Sequence, residues 1–548
     1  MTSTMKSHCL PFREIPHTTK LLATFLDDFQ RVSAFYGHPP TEQGILDAAC
    51  EVRLDKETRR EVVGVLREQN ERLGASEETK RNLDRLADGA VAIVTGQQVG
   101  LFSGPEYSVF KAVSAVRFAQ EITKRGIDAV PVFWLASEDH DLAEVNESFW
   151  GTRAGLTKYE LPVAPESEGR RVGEITFGEA IEAIVTRASE SLEGPFGGEV
   201  ARALSEAYTP ADNYGSAYGK LMARLLRGRG LIFIDPLDAR LHRLASNVFR
   251  RALNNAGPLN EGLAARSKEL EKSGFHAQVK VPADGTLLFY SVHGRRLPVR
   301  RRDEKFFAGD NELSLDELAA AIESTPEAIS PSVLLRPVMQ DALLPTAAYI
   351  GGPSEVAYMA QAQVAYERVL GRMPAILPRS SFTLVEPAAA RTLAKYDLDF
   401  RDLLLGAQHV RARMEQKSIP SALGRQFEAD EEKLRNLLRS YAEPVEKLDR
   451  TLLGTLESVQ GKMLYQFSKF KEKIGRAENF RTGVVDAHER LLFDSLLPNH
   501  DLQERALCGL PFLAAYGPEL LDELARLSAI PDSTDGRSCA HHHHVLFL

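Results

Sequence analysis

The chain has 548 residues, a length that suggests roughly three to four domains, and its 43% hydrophobic and 26% charged residues are ordinary for a globular protein. A net charge of −9 is modest at this size and argues against a general nucleic-acid surface, so no nucleic-acid partner is expected. The four cysteines (Cys9, Cys50, Cys508, Cys539) form no CxxC pair, residues 1–20 lack the apolar core of a signal peptide, and no run of about 18 apolar residues exists; a reducing cytoplasm is expected, and a disulfide scaffold, a structural zinc site and a membrane span are not.

In chain order, residues 1–88 read as a mostly helical segment packing on the core, with charged stretches at 51–73 and 76–86 that carry spaced apolar positions. The organising stretch is 91–146. Residues 91–94 (VAIV) are a short, β-branched run that predicts a buried strand. A polar, glycine-punctuated loop covers 95–105. Residues 106–124 have helical spacing through Val109, Val113 and Val116, and Gly126 stops that helix. A second apolar run, 129–136, opens onto Ser-Glu-Asp-His-Asp. Strand, loop, helix and strand make a βαβ unit, and ligands of such units bind beyond the carboxyl ends of the strands.

Residues 151–211 and about 257–330 read as insertions, the second with a strand at 286–292 and a helix at 315–324. Between them, 231–235 is another apolar run, stopped by Pro236, with Asp238 placed to cap the next helix. The core resumes with short strands at 333–337, 347–351 and 375–379, the middle one leading through Gly-Pro-Ser-Glu into a helix to about residue 370. Apolar runs ending in TGQQ, SEDHD, DPLD, GGPSE and PRSS predict a doubly wound α/β sheet over 89–386, its ligand edge built from these loops. From 387 to 500 the texture is helical. Apolar residues from Leu434 to Ile474 recur at steps of three or four, a coiled-coil-like stripe over about 40 residues that Pro444 should bend. The stripe fits either self-association of two chains or one long helix packed in its own bundle. Residues 501–548 read as a helical end piece and a tail, and the four histidines of that tail, native or a cloning remnant, receive no role.

Two motifs carry candidate chemistry. Gly96, Gly100 and Gly104 stand four apart after Thr95, matching neither GxGxxG nor GxxxxGK[ST]. Such glycines let a backbone approach a ligand, the helix start beyond Pro105 offers free amides to an anion, and Gln97, Gln98 and Ser103 add side-chain partners. A purely structural turn is the alternative. Glu138, Asp139, His140 and Asp141, with Glu144 and Asn146 close behind, follow a buried strand directly. They could bind an amine, coordinate Mg²⁺ or supply a general base; the ligand set is incomplete on paper, so no residue is assigned to a metal. An acidic solvated loop is the bland reading. Gly351, Gly352 and Glu355, followed by Tyr358, form a second glycine turn at a helix start, where Ser354 could cap and Glu355 suits the dipole. Tyr107, Lys111 and Arg336 are candidates for contacting phosphate or carboxylate. GSAYGK at 215–220 is one residue short of a phosphate loop and is a false match.

VTGQQVGLFSGPEYSVFKA, PVFWLASEDHDLAEVN, LRPVMQDALLPTAAYIGGPSEVAYMAQ and ILPRSS, with the closing LPNHDLQERALCGLPFLAAYGPELLDEL, strongly resemble the bacillithiol biosynthesis cysteine-adding enzymes, the BshC family. The resemblance runs in order over nearly the whole chain. It implies a Rossmann-like core with two inserted connecting segments, a coiled-coil domain supporting a homodimer, and a ligase joining cysteine to the amino group of glucosaminyl-malate in the last step of bacillithiol synthesis. Amide formation needs an activated carboxylate, for which ATP with Mg²⁺ would serve. On this reading phosphate or carboxylate lies at the Gly96–Gly104 loop, the residues Glu138 to Asp141 hold the cysteine ammonium or deprotonate the amine, and Gly351, Gly352 and Glu355 line the opposite wall. Unlike the class I synthetases, the chain shows no HIGH or KMSKS signature, which argues against an adenylate route. Two other readings compete: a dinucleotide-dependent oxidoreductase, which the missing GxGxxG argues against, and a non-catalytic coiled-coil scaffold that senses a nucleotide.

Overall fold

The computed structural model describes residues 5–152, 155–303, 305–532 and 539–548; parts of both expected insertions and of the expected C-terminal segment fall outside these ranges. The chain divides into two compact units, residues 1–383 with 503–546, and residues 384–502 with 547–548.

The first unit is built on a five-stranded parallel sheet. Its strands are β1 (Val91–Gln97), β2 (Ala129–Leu135), β3 (Ile232–Ile234), β4 (Thr346–Gly351) and β5 (Ala375–Pro378), in the spatial order β5-β4-β1-β2-β3. All five are runs expected from the sequence. Nearly every residue of these strands is buried, which is why they read as continuous apolar runs rather than alternating ones. Helix α1 (Tyr107–Lys124) connects β1 to β2, and Gly126 beyond its end adopts φ +96°. Helix α2 (Ala239–Asn254) follows β3 and is capped by Asp238, whose carboxylate accepts the Arg240 N–H.

One expected strand is a helix. Residues 333–337 do not extend; Arg336 opens helix α3 (Arg336–Leu343) with Pro337 in its first turn. A proline there loses no helical bond, so a residue read as a strand end is instead a helix start. Helix α4 (Pro353–Ala365) also corrects a detail: Gly352 is its N-cap, and Glu355, not Ser354, reaches back to take the Gly352 N–H.

The 257–330 region carries a five-stranded antiparallel sheet of Gly285–Val292, Arg295–Arg302, Lys305–Ala308, Asn311–Leu313 and Ile329–Pro331. The tail histidines are structural. His542–Phe547 is the middle strand of a three-stranded sheet between Lys6–Pro11 and Ser381–Val385, and His543 is fully buried. All four cysteines are free. No helix among the described residues is long and apolar enough to cross a membrane.

The second unit is helical. The apolar stripe does not lie on one helix: it passes from α5 (Ser421–Ser440) through α6 (Ala442–Leu448), reverses at Asp449, and returns along α7 (Leu453–Thr482). Pro444 lacks the N–H that would bond the Ser440 carbonyl, and α5 ends there. Phe427 of α5 meets Phe467 and Phe470 of α7 at ring-centre distances of 5.1 and 5.7 Å, so the arm is an antiparallel helical hairpin.

Candidate active site

A cavity of about 740 Å³ opens beyond the carboxyl ends of β1, β2, β4 and β5, closed on the far side by the antiparallel sheet. Seven Lys and Arg side chains line it against four Asp and Glu. That imbalance favours anionic ligands.

The wall at β1 and β4 is held by Lys111. Its ammonium, buried in α1, donates to the Gly96 carbonyl and to Gln97 Oε1, both at 2.8 Å, and is ion-paired with Glu355. Glu355 also accepts the Tyr349 hydroxyl at 2.5 Å and the Gly352 N–H at 2.7 Å. Burial works against the Glu355 carboxylate, but the Lys111 charge and these hydrogen bonds hold it below its ordinary range. Arg336 lies over the rings of Trp134 and Tyr349 at 5.7 and 5.4 Å. Tyr107 and Tyr358 complete this wall.

The wall at β2 carries the acidic motif, and each acid in it that reaches the cavity already has a partner. Glu138 is ion-paired at 3.0 Å with His242, a fully buried histidine of α2. Burial disfavours charge on His242, yet the Glu138 carboxylate raises its pKa above the usual value. Asp139 accepts Gln98 Nε2 at 2.7 Å and the His140 N–H at 2.8 Å. Burial opposes its charge, but the hydrogen bonds to His140 and Gln98 and the nearby Arg296 guanidinium hold it well below the carboxylate range. Glu144 accepts the same Gln98 amide at 2.7 Å. Among the described residues no cluster of three or more His, Cys, Asp or Glu is placed to hold a metal ion.

Gly96, Gln97, Gln98, Tyr107, Lys111, Glu138, Asp139, His140, Glu144, Arg336, Gly352, Ser354, Glu355 and Tyr358 therefore share one cavity. The other candidates lie outside it. Thr95 is buried and donates to the Ile350 carbonyl, tying β1 to β4. Gly351 abuts Glu355: a Cβ there would stand 2.9 Å from the Glu355 Cβ. Asp141 is exposed, and Asn146 is buried and bonded to the Leu161 carbonyl. The loop after Gln98 turns inward rather than cradling a ligand. Gly100 packs on Gly104, where an added Cβ would meet the Gly104 Cα at 3.2 Å. Phe102 is fully buried against Trp150, Tyr159 and Tyr208, and Ser103 faces Cys508. Phe102 and Ser103 hold φ of +54° and +74°, a conformation non-glycine residues adopt only when their surroundings enforce it. The start of α1 is likewise covered, with the Glu106 N–H donating to the Leu507 carbonyl.

Residues missed from the sequence come mostly from the insertion and from beyond the βαβ unit: Phe289, Arg296 and Arg300 of the antiparallel sheet, Arg379 after β5, and Arg505. Nothing local in the arginine-rich run at 295–302 says that one of its side chains faces inward. PRSS, a motif at a strand end, is the single signal that points to Arg379.

Two family descriptions match the chain: the N-terminal Rossmann-like domain of the bacillithiol biosynthesis protein BshC over residues 5–380, and its C-terminal coiled-coil domain over 382–534. Among curated relatives, a Koribacter versatilis protein is 42% identical over 94% of this chain and 96% of its own. A Solibacter usitatus protein is 34% identical over 94% and 96%, and one from Salinibacter ruber is 32% identical over 92% and 93%. Each carries the name "Putative cysteine ligase BshC". From its sheet through its helical arm, the chain belongs to the BshC family.

Proposed function

We propose that this protein is a cysteine ligase that forms an amide between the cysteine carboxylate and the amino group of glucosaminyl-malate, the closing step of bacillithiol synthesis. The observation that carries the reading is the excess of basic over acidic side chains around one cavity at the sheet's ligand edge, in a chain of this family. Glucosaminyl-malate brings two carboxylates and cysteine one, and ATP would bring phosphates. Arg336, Arg379 and Arg296 suit these anions and Lys111 holds the wall between them, while Asp139 and Glu144 suit the cysteine ammonium. ATP, with Mg²⁺, would supply the activation that a free carboxylate lacks. The chain's own side chains then bind, orient and shield the reacting groups, contributions that account for most of such catalysis.

A homodimer through the helical arm is part of the same proposal. Tyr441, Leu448, Leu452, Val459, Met463 and Phe470 of the stripe are exposed, which is costly for an arm that stays alone. The reaction is expected to run in the cytoplasm, where cysteine stays reduced.

The test is a mass-spectrometric assay of pure protein with cysteine, glucosaminyl-malate, Mg²⁺ and ATP, with a no-ATP control. Bacillithiol formed with AMP supports an adenylate, and with ADP an acyl-phosphate. Bacillithiol formed without ATP would overturn the activation step, and no bacillithiol under any of these conditions would overturn the ligase reading.

A further inference from the structure

Arg296 lies far from the acidic motif in sequence, yet its guanidinium reaches His140. It is 8% exposed and lies flat over the Phe289 ring at 3.8 Å. Its Nε donates to Ser330 Oγ at 2.9 Å, its Nη2 to the Pro331 carbonyl at 2.7 Å, and its Nη1 meets His140 Nδ1 at 2.9 Å. A guanidinium can only donate, so Nδ1 must present its lone pair and the neutral ring keeps its proton on Nε2. Asp139 is the more distant partner of Nδ1, at 3.6 Å against 2.9 Å for Arg296. Both its oxygens are engaged by Gln98 and the His140 N–H. The arrangement is the reverse of a carboxylate-backed histidine base: a cation stands where the carboxylate would be. The ring lines the cavity, and Nε2 has no protein partner among the described residues.

We propose that His140 is a hydrogen-bond donor, through Nε2–H, to an anionic oxygen of the ligand, and that Arg296 is the positioning residue that sets this tautomer. The anionic oxygen is a carboxylate or a phosphate oxygen. This deepens the ligase reading and rests on it for the identity of the ligand, not for the tautomer.

The experiment is ¹⁵N NMR of the histidine side chains in the full-length protein, with His140 assigned through His140→Gln. The expected spectrum has a pyridine-type Nδ1 and a pyrrole-type Nε2; Arg296→Lys keeps it, and Arg296→Met mixes the tautomers. A protonated Nδ1 in the unaltered protein would overturn the assignment. L-malate, cysteine and ADP are then added separately. The probe whose oxygen is bound shifts Nε2–H, and His140→Ala weakens that probe about tenfold to a hundredfold, as loss of a hydrogen bond to a charged group should. Malate or cysteine alone acting identifies a carboxylate, and ADP alone a phosphate. If none shifts Nε2, the donor role is wrong. A protein that binds a probe through His140 but makes no bacillithiol refutes the ligase reading and keeps the donor.

Discussion

The Arg379 guanidinium donates two parallel hydrogen bonds to the Glu504 carboxylate, at 2.8 and 2.7 Å, with both groups buried. The pair joins a cavity arginine next to β5 to a residue 125 positions later. Glu504 is also bound by Ser381 Oγ at 2.8 Å and the Phe382 N–H at 3.0 Å, and Ser381 in turn meets His543 Nδ1 at 2.7 Å. The tail strand thereby braces the cavity wall through two intermediaries.

Breaking such a buried pair strands a charge. Glu504→Gln is expected to destabilise the first unit by about 3 kcal/mol. Urea titration followed by tryptophan fluorescence checks it, since Trp134 and Trp150 are both buried in this unit. An unchanged midpoint would mean the pair is not holding Arg379.

Burial pushes the pKa of His543 and of His544 down to about 4 from an ordinary value of 6.5. Between those values the unfolded chain takes up protons that the folded chain refuses. Stability is therefore full above pH 6.5 and falls as pH drops toward 4, by up to about 3 kcal/mol for each group. Melting curves at successive pH values measure the slope, and His543→Gln should flatten it.

Lys111→Met should leave the Glu355 carboxylate buried without its cation and cost about 3–5 kcal/mol. The double variant Lys111→Met/Glu355→Gln should recover part of that stability while ligand binding stays lost. Calorimetric melting of the two variants separates the outcomes, and additive losses would show that the side chains are not coupled.

At Gly96 the reason for glycine is packing between strands. An added Cβ would stand 2.9 Å from the Trp134 carbonyl oxygen and 3.0 Å from the Trp134 Cβ, across the β1–β2 pairing. Gly96→Ala is expected to cost about 2 kcal/mol through forced strand separation. A thermal midpoint equal to that of the unaltered protein would contradict this account.

Leu452→Glu/Val459→Glu places charge on two exposed apolar positions of the arm. Sedimentation velocity is expected to give a dimer for the unaltered protein and a monomer for the variant. A dimer that survives both charges moves self-association elsewhere.

The features legible in the sequence are local and periodic. The five parallel strands, α1 with its terminal glycine, and the Asp238 cap could be read because burial on both faces, helical spacing and capping chemistry are all written within a few residues. Part of the cavity followed, since Gln97, Gln98 and the residues from Glu138 to His140 sit at strand ends and strand ends gather at one edge of such a sheet. Whatever depends on a distant partner was set by the folded chain. Gly100 and Gly104 look like a ligand cradle until Phe102 is seen buried under Trp150 and Tyr208. The continuous stripe from Leu434 to Ile474 does not reveal that the chain reverses at Asp449. Four terminal histidines carry no sign of a central strand, and the charge-rich run at 295–302 does not say that Arg296 turns inward to meet His140. Hydrogen-bond and ion-pair partners are chosen by proximity in space, and for Arg296, Arg379 and His543 the partner lies more than a hundred positions away.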